Sequence, residues 1–276
     1  MLTTLVSALA LPASFNAQSV ADNINTAQNI ISVGLSSKDP ATRARAIAAT
    51  GMIAKTQSVR KRVEGFLNDK DVNVRIAAAD TLADLGFQES IPALEKILNT
   101  DPVPEVEFAA AKALYKLNDP KGKLALEDVL YGNLSVKSSY FQRQKRRVLS
   151  SLHTVHRASI ILLSTTGGFV PVPGAGLGLS EVARLLDDPS LTPQATVVLL
   201  LGREHGPSID KLLRFSLTDK DATVRSAAVL IIALTARNYM REDLIPLLSD
   251  NDARVRFRAA GAYLHLIGAH TAPKKE

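Results

Sequence analysis

The residues best suited to metal or acid–base chemistry in this sequence are its five histidines, because the chain contains no cysteine. His153 and His156 lie three positions apart, so they would share one face of a helix. A metal site needs at least a third ligand, and no carboxylate lies near this pair in the sequence. We therefore predict no metal site. The lack of cysteine also excludes disulfides and thiol nucleophiles.

Phosphate binding by a glycine-rich loop is the second chemistry to consider, at Gly174-Ala-Gly-Leu-Gly178. This spacing differs from the dinucleotide-binding fingerprint, no strand is predicted before it, and no Gly-Lys-Ser/Thr follows it. The Gly-x-Ser-x-Gly elbow of many hydrolases is absent as well. We therefore expect no catalytic residue, no cofactor and no small-molecule substrate.

The positive charge of the chain is concentrated in one stretch. The sequence has 33 Lys and Arg residues and 27 Asp and Glu residues, a formal net charge of +6. No carboxylate occurs between Asp128 and Glu181. The basic residues there equal the whole excess, and they are Lys137, Arg143, Lys145, Arg146, Arg147 and Arg157. Such a local positive field favours an acidic protein surface, anionic lipid or nucleic acid as a partner, unless it is only a solvated helix face.

A repeated Asp-x-x-x-Arg pattern organises most of the chain. Its four strong copies are Asp39 to Arg43, Asp71 to Arg75, Asp221 to Arg225 and Asp252 to Arg256. Each copy opens an Ala-rich segment with helical periodicity, and an apolar run precedes each copy. The aspartates stand where helix N-caps are expected, and alanine allows helices to approach closely. Short helix pairs cannot bury their apolar faces alone, so we predict an all-α solenoid in which consecutive pairs stack.

The Asp-x-x-Val-Arg segment followed by an Ala-rich helix resembles HEAT repeats, specifically the short bacterial kind called PBS-lyase HEAT-like repeats. The resemblance covers residues 20–270 with a gap in the middle, and it implies an α-solenoid of about seven helix pairs. In this family the aspartate and arginine form a ladder between adjacent repeats, which implies structural roles for the residues of the four strong copies. Two weaker copies place Glu107 and Gln194 where the family has arginine. The ladder is therefore expected to break at those positions.

An insertion is predicted between Glu107 and Gln194, which lie farther apart than two repeats require. Residues 135–164 contain neither Gly nor Pro and predict one long basic helix of about 45 Å. Residues 165–178 are rich in Gly and Pro, which excludes a regular helix there. The apolar side chains of this loop that are candidates for a binding contact are Phe169, Val170, Val172 and Leu177.

Three interpretations of the insertion remain open. A transmembrane helix is excluded, because the Gly/Pro-rich half could not satisfy its own backbone hydrogen bonds in lipid. The loop and the basic helix are suited to contact with an anionic membrane surface. They are equally suited to packing on the solenoid itself, or to insertion into a protein partner.

The HEAT-repeat resemblance also raises three enzyme classes. Deoxyhypusine hydroxylase holds iron through His-Glu dipeptides, and this chain contains none. The bilin lyase subunits offer no motif that can be matched here. HEAT-like DNA glycosylases use aromatic pockets, whereas this chain has no Trp and no aromatic cluster. We therefore expect a non-catalytic scaffold that binds a protein partner, with nucleic acid disfavoured. The alternatives are a peripheral membrane protein and a lyase-like chaperone or enzyme.

Five segments are predicted along the chain. They are 1–19 (a signal peptide or capping segment), 20–134 (N-terminal repeats), 135–180 (the insertion), 181–270 (C-terminal repeats) and 271–276 (a tail). The first segment is apolar and contains an Ala8-Leu-Ala10 sequence typical of a cleavage site, but it lacks the basic start of a secretory signal. A cytoplasmic, an exported and a membrane-associated protein all fit this pattern.

Overall fold

The computed structural model describes residues 13–53, 55–131, 185 and 191–271. Within these ranges the regular structure is helical and contains no strand, as the repeat pattern predicts. The predicted long helix at 135–164, the loop that follows it and residues 1–12 lie outside the described residues.

The described part of the N-terminal half contains seven α-helices. They are α1 (Ala13–Leu35), α2 (Pro40–Ile53), α3 (Gln57–Gly65), α4 (Val72–Leu85), α5 (Ile91–Thr100), α6 (Pro104–Lys116) and α7 (Pro120–Tyr131). Two short 3₁₀ segments, η1 (Phe66–Asn68) and η2 (Gln88–Ser90), precede α4 and α5. Helices α2, α6 and α7 begin with proline, whose fixed φ suits the first helical position and whose missing N–H costs nothing there. Helix α4 ends at Gly86, which adopts the left-handed conformation with φ of 67° that glycine favours.

The described part of the C-terminal half contains four α-helices and a long 3₁₀ segment. They are α8 (Pro193–Leu201), α9 (Pro207–Leu217), α10 (Ala222–Leu234), the 3₁₀ segment η3 (Asn238–Ser249) and α11 (Ala253–Thr271). Pro246 lies inside η3 and has no backbone N–H to donate, so an unbroken α-helical hydrogen-bond pattern cannot form there.

The helices form pairs that stack in two rows, and the fold is an all-α solenoid. In spatial order, the A row consists of α8, α10, α11, α2, α4 and α6, and each of these helices packs on the next. The B row consists of α9, η3, α1, α3, α5 and α7, and its elements pack against the A-row helices beside them. The described residues thus form six helix pairs. The expected number of about seven stays a prediction, because most of residues 132–190 lie outside the described ranges.

The spatial order of the pairs differs from their order along the chain. Helix α11, the last described helix, packs on α2 and α1, so the C-terminal half precedes the N-terminal half in the stack. Helix α1 thereby serves as the B-row partner of α11. Stacking of consecutive pairs, as predicted, holds within each half. Contact between the halves through α11 was not predicted, because the spacing of repeats does not say which repeats meet across a long insertion.

One hydrophobic core crosses this contact between the halves. Ala27 and Ile31 of α1 and Met52 of α2 are buried in the same cluster as Ile231 of α10 and Tyr263 of α11. A second cluster fills the rest of the N-terminal half. Full burial of one such aliphatic side chain stabilises the fold by about 1.5–3 kcal/mol, so the shared core holds the halves together.

Helix α1 crosses the predicted boundary between the N-terminal segment and the first repeats. It begins at Ala13, so the predicted boundary between residues 19 and 20 falls inside a helix. Its C-terminal part packs on α2 and α11 as part of the solenoid. None of the helices in the described ranges is both long and apolar enough to span a bilayer.

Candidate functional site

Three of the four repeat arginines form a two-bonded ion pair with an aspartate of the neighbouring repeat. In each pair the Nε and Nη2 atoms donate to the two carboxylate oxygens, at N···O distances between 2.7 and 3.0 Å. This is the geometry in which a guanidinium and a carboxylate match best. The pairs connect the start of one A-row helix to the loop before the next A-row helix in its half. They are Arg43 with Asp69, Arg75 with Asp101, and Arg225 with Asp250.

The aspartates of the four strong copies are not the partners in these pairs, and they act as helix N-caps, as their positions in the sequence predict. They cap helices within their own repeats, where backbone N–H groups bind their side-chain oxygens. Asp71 accepts from the N–H of Asn73 at 2.9 Å, and Asp221 accepts from Thr223 at 2.8 Å. The equivalent contacts are made by Asp39 and Asp252. The aspartate of each ladder pair lies two residues before the N-cap of the next A-row helix. At that position its carboxylate faces the arginine.

Each ladder arginine is also held from its other side. Nη1 of Arg75 donates to two backbone carbonyl oxygens of the preceding loop at 2.9 and 3.3 Å, and Arg43 and Arg225 make the same contacts in their repeats. Burial is the largest single influence on Asp69 and Asp250 and opposes their ionisation. The hydrogen bond and charge of Arg43 or Arg225, together with a backbone N–H donor, outweigh burial and keep the pKa of both carboxyl groups below the ordinary value. These pairs therefore stay ionised at neutral pH.

Three repeat positions in the described ranges lack a ladder ion pair. At two of them the arginine is replaced, and at the third it is kept. Glu107 of α6 forms no ion pair among the described residues, and burial together with the charge of Asp101 raises its pKa. Gln194 lies at the second position of α8 and carries no charge. At the fourth strong copy, Arg256 keeps its backbone contacts to Asp250 and Asn251 but pairs with no carboxylate in the described ranges.

Four successive A-row helices line a cavity of about 270 Å³, which we call the A-row groove. Among the described residues, its walls come from α10, α11, α2 and α4 together with Leu185, and none of these residues belongs to the B row. Ile76 of α4 and Phe257 of α11 supply apolar surface. Because α10 and α11 belong to one half of the chain and α2 and α4 to the other, the groove exists only when the halves are joined.

Positive charge predominates in the A-row groove. The charged residues in the described part of its lining are Arg45, Arg254, Arg258 and Asp80. Asp80 faces Lys112 of α6 at 3.5 Å and Arg254 pairs with Asp252, so the positive charge of the described wall comes mainly from Arg45 and Arg258. The groove is therefore suited to an acidic ligand with apolar side chains.

Two of these arginines are positioned by neighbouring side chains. Arg254 pairs with Asp252 at 2.8 Å, and its hydrogen bonds lower the pKa of that carboxyl to about 2, although partial burial acts in the opposite direction. Arg258 donates to Ser226 Oγ on α10. The guanidinium groups are thus held at the wall of the groove and not left to extend freely into solvent.

A residue from the chain between the two halves reaches the A-row groove. Leu185 lines the cavity, is only 3% exposed and belongs to the core cluster that includes α10 and α11. It lies in the predicted C-terminal repeat segment, just beyond the insertion predicted at 135–180. Leu185 therefore forms part of the wall of the groove.

Metal binding finds no support in the described ranges, where no three His, Asp or Glu side chains are grouped so that they could hold an ion. His153 and His156 lie outside these ranges. His265 of α11 is buried, and this burial lowers its pKa, while hydrogen bonding with the backbone of Ile53 and Met52 opposes the shift only in part.

Comparison with protein families identifies the repeats. A family model described as HEAT repeats matches residues 27–115 and 59–133, which together cover most of α1 through α7. This chain contains HEAT repeats. The prediction of the family is confirmed, whereas the PBS-lyase subtype stays a prediction. The Arg225–Asp250 pair shows that the C-terminal half of this HEAT-repeat protein has the same inter-repeat geometry as the matched half.

Other comparisons add little to this HEAT-repeat assignment. An engineered protein of known structure is 18% identical to this chain, with a TM-score of 0.26 over 90% of this chain and 97% of its own. A TM-score this low does not establish a shared arrangement of helices. No curated protein matches the chain.

The binding residues expected from the sequence of this HEAT-repeat protein lie outside the described ranges, so their role stays a prediction. They are the basic residues Lys137, Arg143, Lys145, Arg146, Arg147 and Arg157 and the apolar residues Phe169, Val170, Val172 and Leu177. Sequence reasoning missed the A-row groove. One signal was present, because Arg45 and Arg258 each follow a repeat arginine by two positions. That spacing becomes meaningful only once α11 is known to pack on α2.

Proposed function

We propose that this HEAT-repeat protein is a non-catalytic scaffold whose A-row groove binds a segment of a partner protein. HEAT repeats generally serve as protein-interaction scaffolds, and the match to their family model supports this class of function. The observation that carries the proposal is a groove built by four successive A-row helices from both halves of the chain.

The chemistry of the groove supports a partner segment that is both acidic and apolar. Arg45 and Arg258 supply positive charge, and Ile76 and Phe257 supply apolar contact area. Charged groups on such a wall steer and orient a partner, while the apolar contacts contribute most of the affinity. A groove of this kind fits a helix or an extended segment better than a flat protein surface.

Site-specific photo-crosslinking in cells that express the protein tests the proposal. A benzoylphenylalanine is placed at Ala48, which lines the groove, and in a matched control at Leu124 of the B-row helix α7, which is 59% exposed. We expect a discrete crosslinked protein from position 48 that is absent from position 124 and is lost when Arg45 is replaced by Glu. Equal products from both positions, or none from position 48, would contradict the proposal.

Contact with an anionic membrane is the second candidate, and the carboxylate-free basic stretch between Asp128 and Glu181 favours it. Co-sedimentation with anionic and neutral vesicles at low and high salt tests it. The matched variant replaces the six basic residues of that stretch by Gln. Salt-sensitive binding to anionic vesicles that is lost in the variant would support this candidate, and no sedimentation with either vesicle would remove it.

A further inference from the structure

We propose that Arg256 is a binding site for a carboxylate side chain of a partner protein, in the cleft where α11 meets α1 and α2. This proposal rests on the proposed scaffold role and names the chemistry of one contact with the partner. The site is distinct from the A-row groove, although the ring of Phe257 borders both cavities.

The strongest support comes from three equivalent arginines in the same chain. Arg43, Arg75 and Arg225 each use Nη1 to bind two backbone carbonyl oxygens and use Nε and Nη2 to bind a carboxylate. Arg256 makes the same Nη1 contacts, to the carbonyl oxygens of Asp250 and Asn251. Its Nε and Nη2 atoms have no acceptor within the described parts of the chain. The guanidinium is therefore anchored in the orientation that binds a carboxylate elsewhere in the solenoid.

The missing carboxylate has an identifiable cause. In every other strong repeat, the residue two positions before the helix cap is an aspartate, such as Asp69, whose side chain also accepts from the backbone N–H of the cap residue at 2.9 Å. In the pair that follows Arg256 in space, this position is Ser37, and its Oγ accepts from the N–H of Asp39 at 3.1 Å. A serine hydroxyl keeps this local contact, but it cannot bind two guanidinium N–H groups in parallel.

An open cleft of about 650 Å³ lies at this position, and both Arg256 and Ser37 line it. Ile30, Val33 and Phe257 add apolar surface to its walls. Val33 is 62% exposed, so its side chain is accessible to a partner. The cleft thus offers an anchored positive charge beside apolar contact area.

These features favour an Asp or Glu side chain within a protein segment over a free small carboxylate. At the three filled sites the carboxylate belongs to an aspartate in a loop, held in place by neighbouring backbone contacts. An isolated carboxylate at an open cleft would have only the ion pair, which is weak where water has access. Apolar residues next to the acidic one add contacts with Val33 and Ile30, so the affinity should depend on the segment and not on the charge alone.

The chain itself supplies the probe for the test. Residues 98–103 contain Asp101, which pairs with Arg75 in the folded protein. The acetylated and amidated peptide of this sequence, Leu-Asn-Thr-Asp-Pro-Val, therefore presents a carboxylate in a loop sequence that binds an equivalent arginine. Binding to the full chain is followed by NMR through the Nε–Hε signals of ¹⁵N-labelled arginine. The Arg225 signal is an internal control, because its carboxylate site is filled by Asp250. Two control ligands are tested beside it: the same peptide with Asn in place of Asp, and sodium acetate.

We expect the Asp peptide to shift the Arg256 signal with saturation and to leave that of Arg225 unchanged. Ser37→Asp should fill the site from within, raise Tm and weaken peptide binding at least tenfold, while Ser37→Asn should change binding less than threefold. Arg256→Gln removes the reporting signal, so its peptide binding is measured by calorimetry beside the wild type, and it should be at least tenfold weaker. Any of four results would overturn the proposal: no saturable shift, equal binding of the Asn peptide, undiminished binding by Ser37→Asp, or acetate acting as well as the peptide. None of these results bears on crosslinking at Ala48, so the two proposals fail separately.

Discussion

Gly261 of α11 lies directly against Ala49 of α2, and this contact joins the two halves of the solenoid. A Cβ on Gly261 would stand 2.7 Å from the carbonyl oxygen of Ala49 and 3.2 Å from Cβ of Met52. Gly34 of α1 packs against Phe257 and Ala46, and an added Cβ would be 2.8 Å from Cβ of Ala46. Packed atoms do not approach a backbone oxygen so closely. The place where α11, α1 and α2 meet therefore requires glycine on two of its three helices.

Replacing Gly261 by Ala should destabilise the protein by about 1–3 kcal/mol, because α11 and α2 would have to move apart. Gly65→Ala is the matched control, since Gly65 lies at the end of α3, has helical φ of −56° and would place its Cβ in open space. The control should be neutral or more stable by up to about 1 kcal/mol. Thermal unfolding of both variants gives the comparison. Equal Tm values for the two would mean that α11 does not pack on α2 as described.

Two fragments produced by opening the chain between Gly167 and Gly168 should associate. The fragments 1–167 and 168–276 would share the core that α11 forms with α1 and α2, and Tyr263 would lose its burial if they separated. Co-expression followed by size-exclusion chromatography should give a one-to-one complex. Gly261→Ala should weaken this association at least tenfold, and Gly65→Ala should leave it unchanged. Fragments that elute separately would contradict the spatial order of the helix pairs.

Removal of a ladder carboxylate should lower the free energy of unfolding far more than removal of an exposed carboxylate. In the Arg75–Asp101 pair the side chains are 11% and 4% exposed, so Asp101→Ala leaves a buried guanidinium without a partner and should destabilise by about 3 kcal/mol or more. Asp243→Ala breaks the Arg214–Asp243 pair, whose side chains are 52% and 33% exposed, and should cost less than about 1 kcal/mol. Urea unfolding of both variants measures the difference. Similar losses would show that the ladder contributes no more than an ordinary surface pair.

Mild acid should weaken the contact between the halves through His265. Burial lowers the pKa of this histidine in the folded state below the ordinary value of 6.5, so the unfolded chain binds the proton more readily. The free energy of unfolding should therefore fall as the pH drops below about 6.5, and it should stop falling once the pH lies below the folded-state pKa. Stability measured from pH 8 to pH 5 should depend less on pH in His265→Gln. His205→Gln, at an exposed position, should keep the full dependence. A wild-type profile that is flat over this range would contradict the prediction.

The candidate sites were predictable to different degrees. The arginines of the ladder could be found because each opens an Ala-rich helix at a fixed distance from a capping aspartate. Their partners Asp69, Asp101 and Asp250 were missed, because a carboxylate two residues before a cap looks like an ordinary polar loop residue until the neighbouring helix is in place. The A-row groove and the Arg256 cleft were not predictable, because each combines helices from opposite halves of the sequence.

By itself, the sequence determined the helical class, the repeat unit and the HEAT family, since these follow from local spacing: a cap, an arginine four residues later and an apolar period of 3.6. Tertiary structure decided the order in which the pairs stack. That order depends on close contacts such as the one between Gly261 and Ala49. The stability that such a contact contributes depends on how well the shapes of both helix surfaces match. Local spacing holds no information about such contacts, because the two helices are separated by most of the chain. The same contact brings Arg256 to Ser37 and not to an aspartate, and so leaves open the cleft at Arg256.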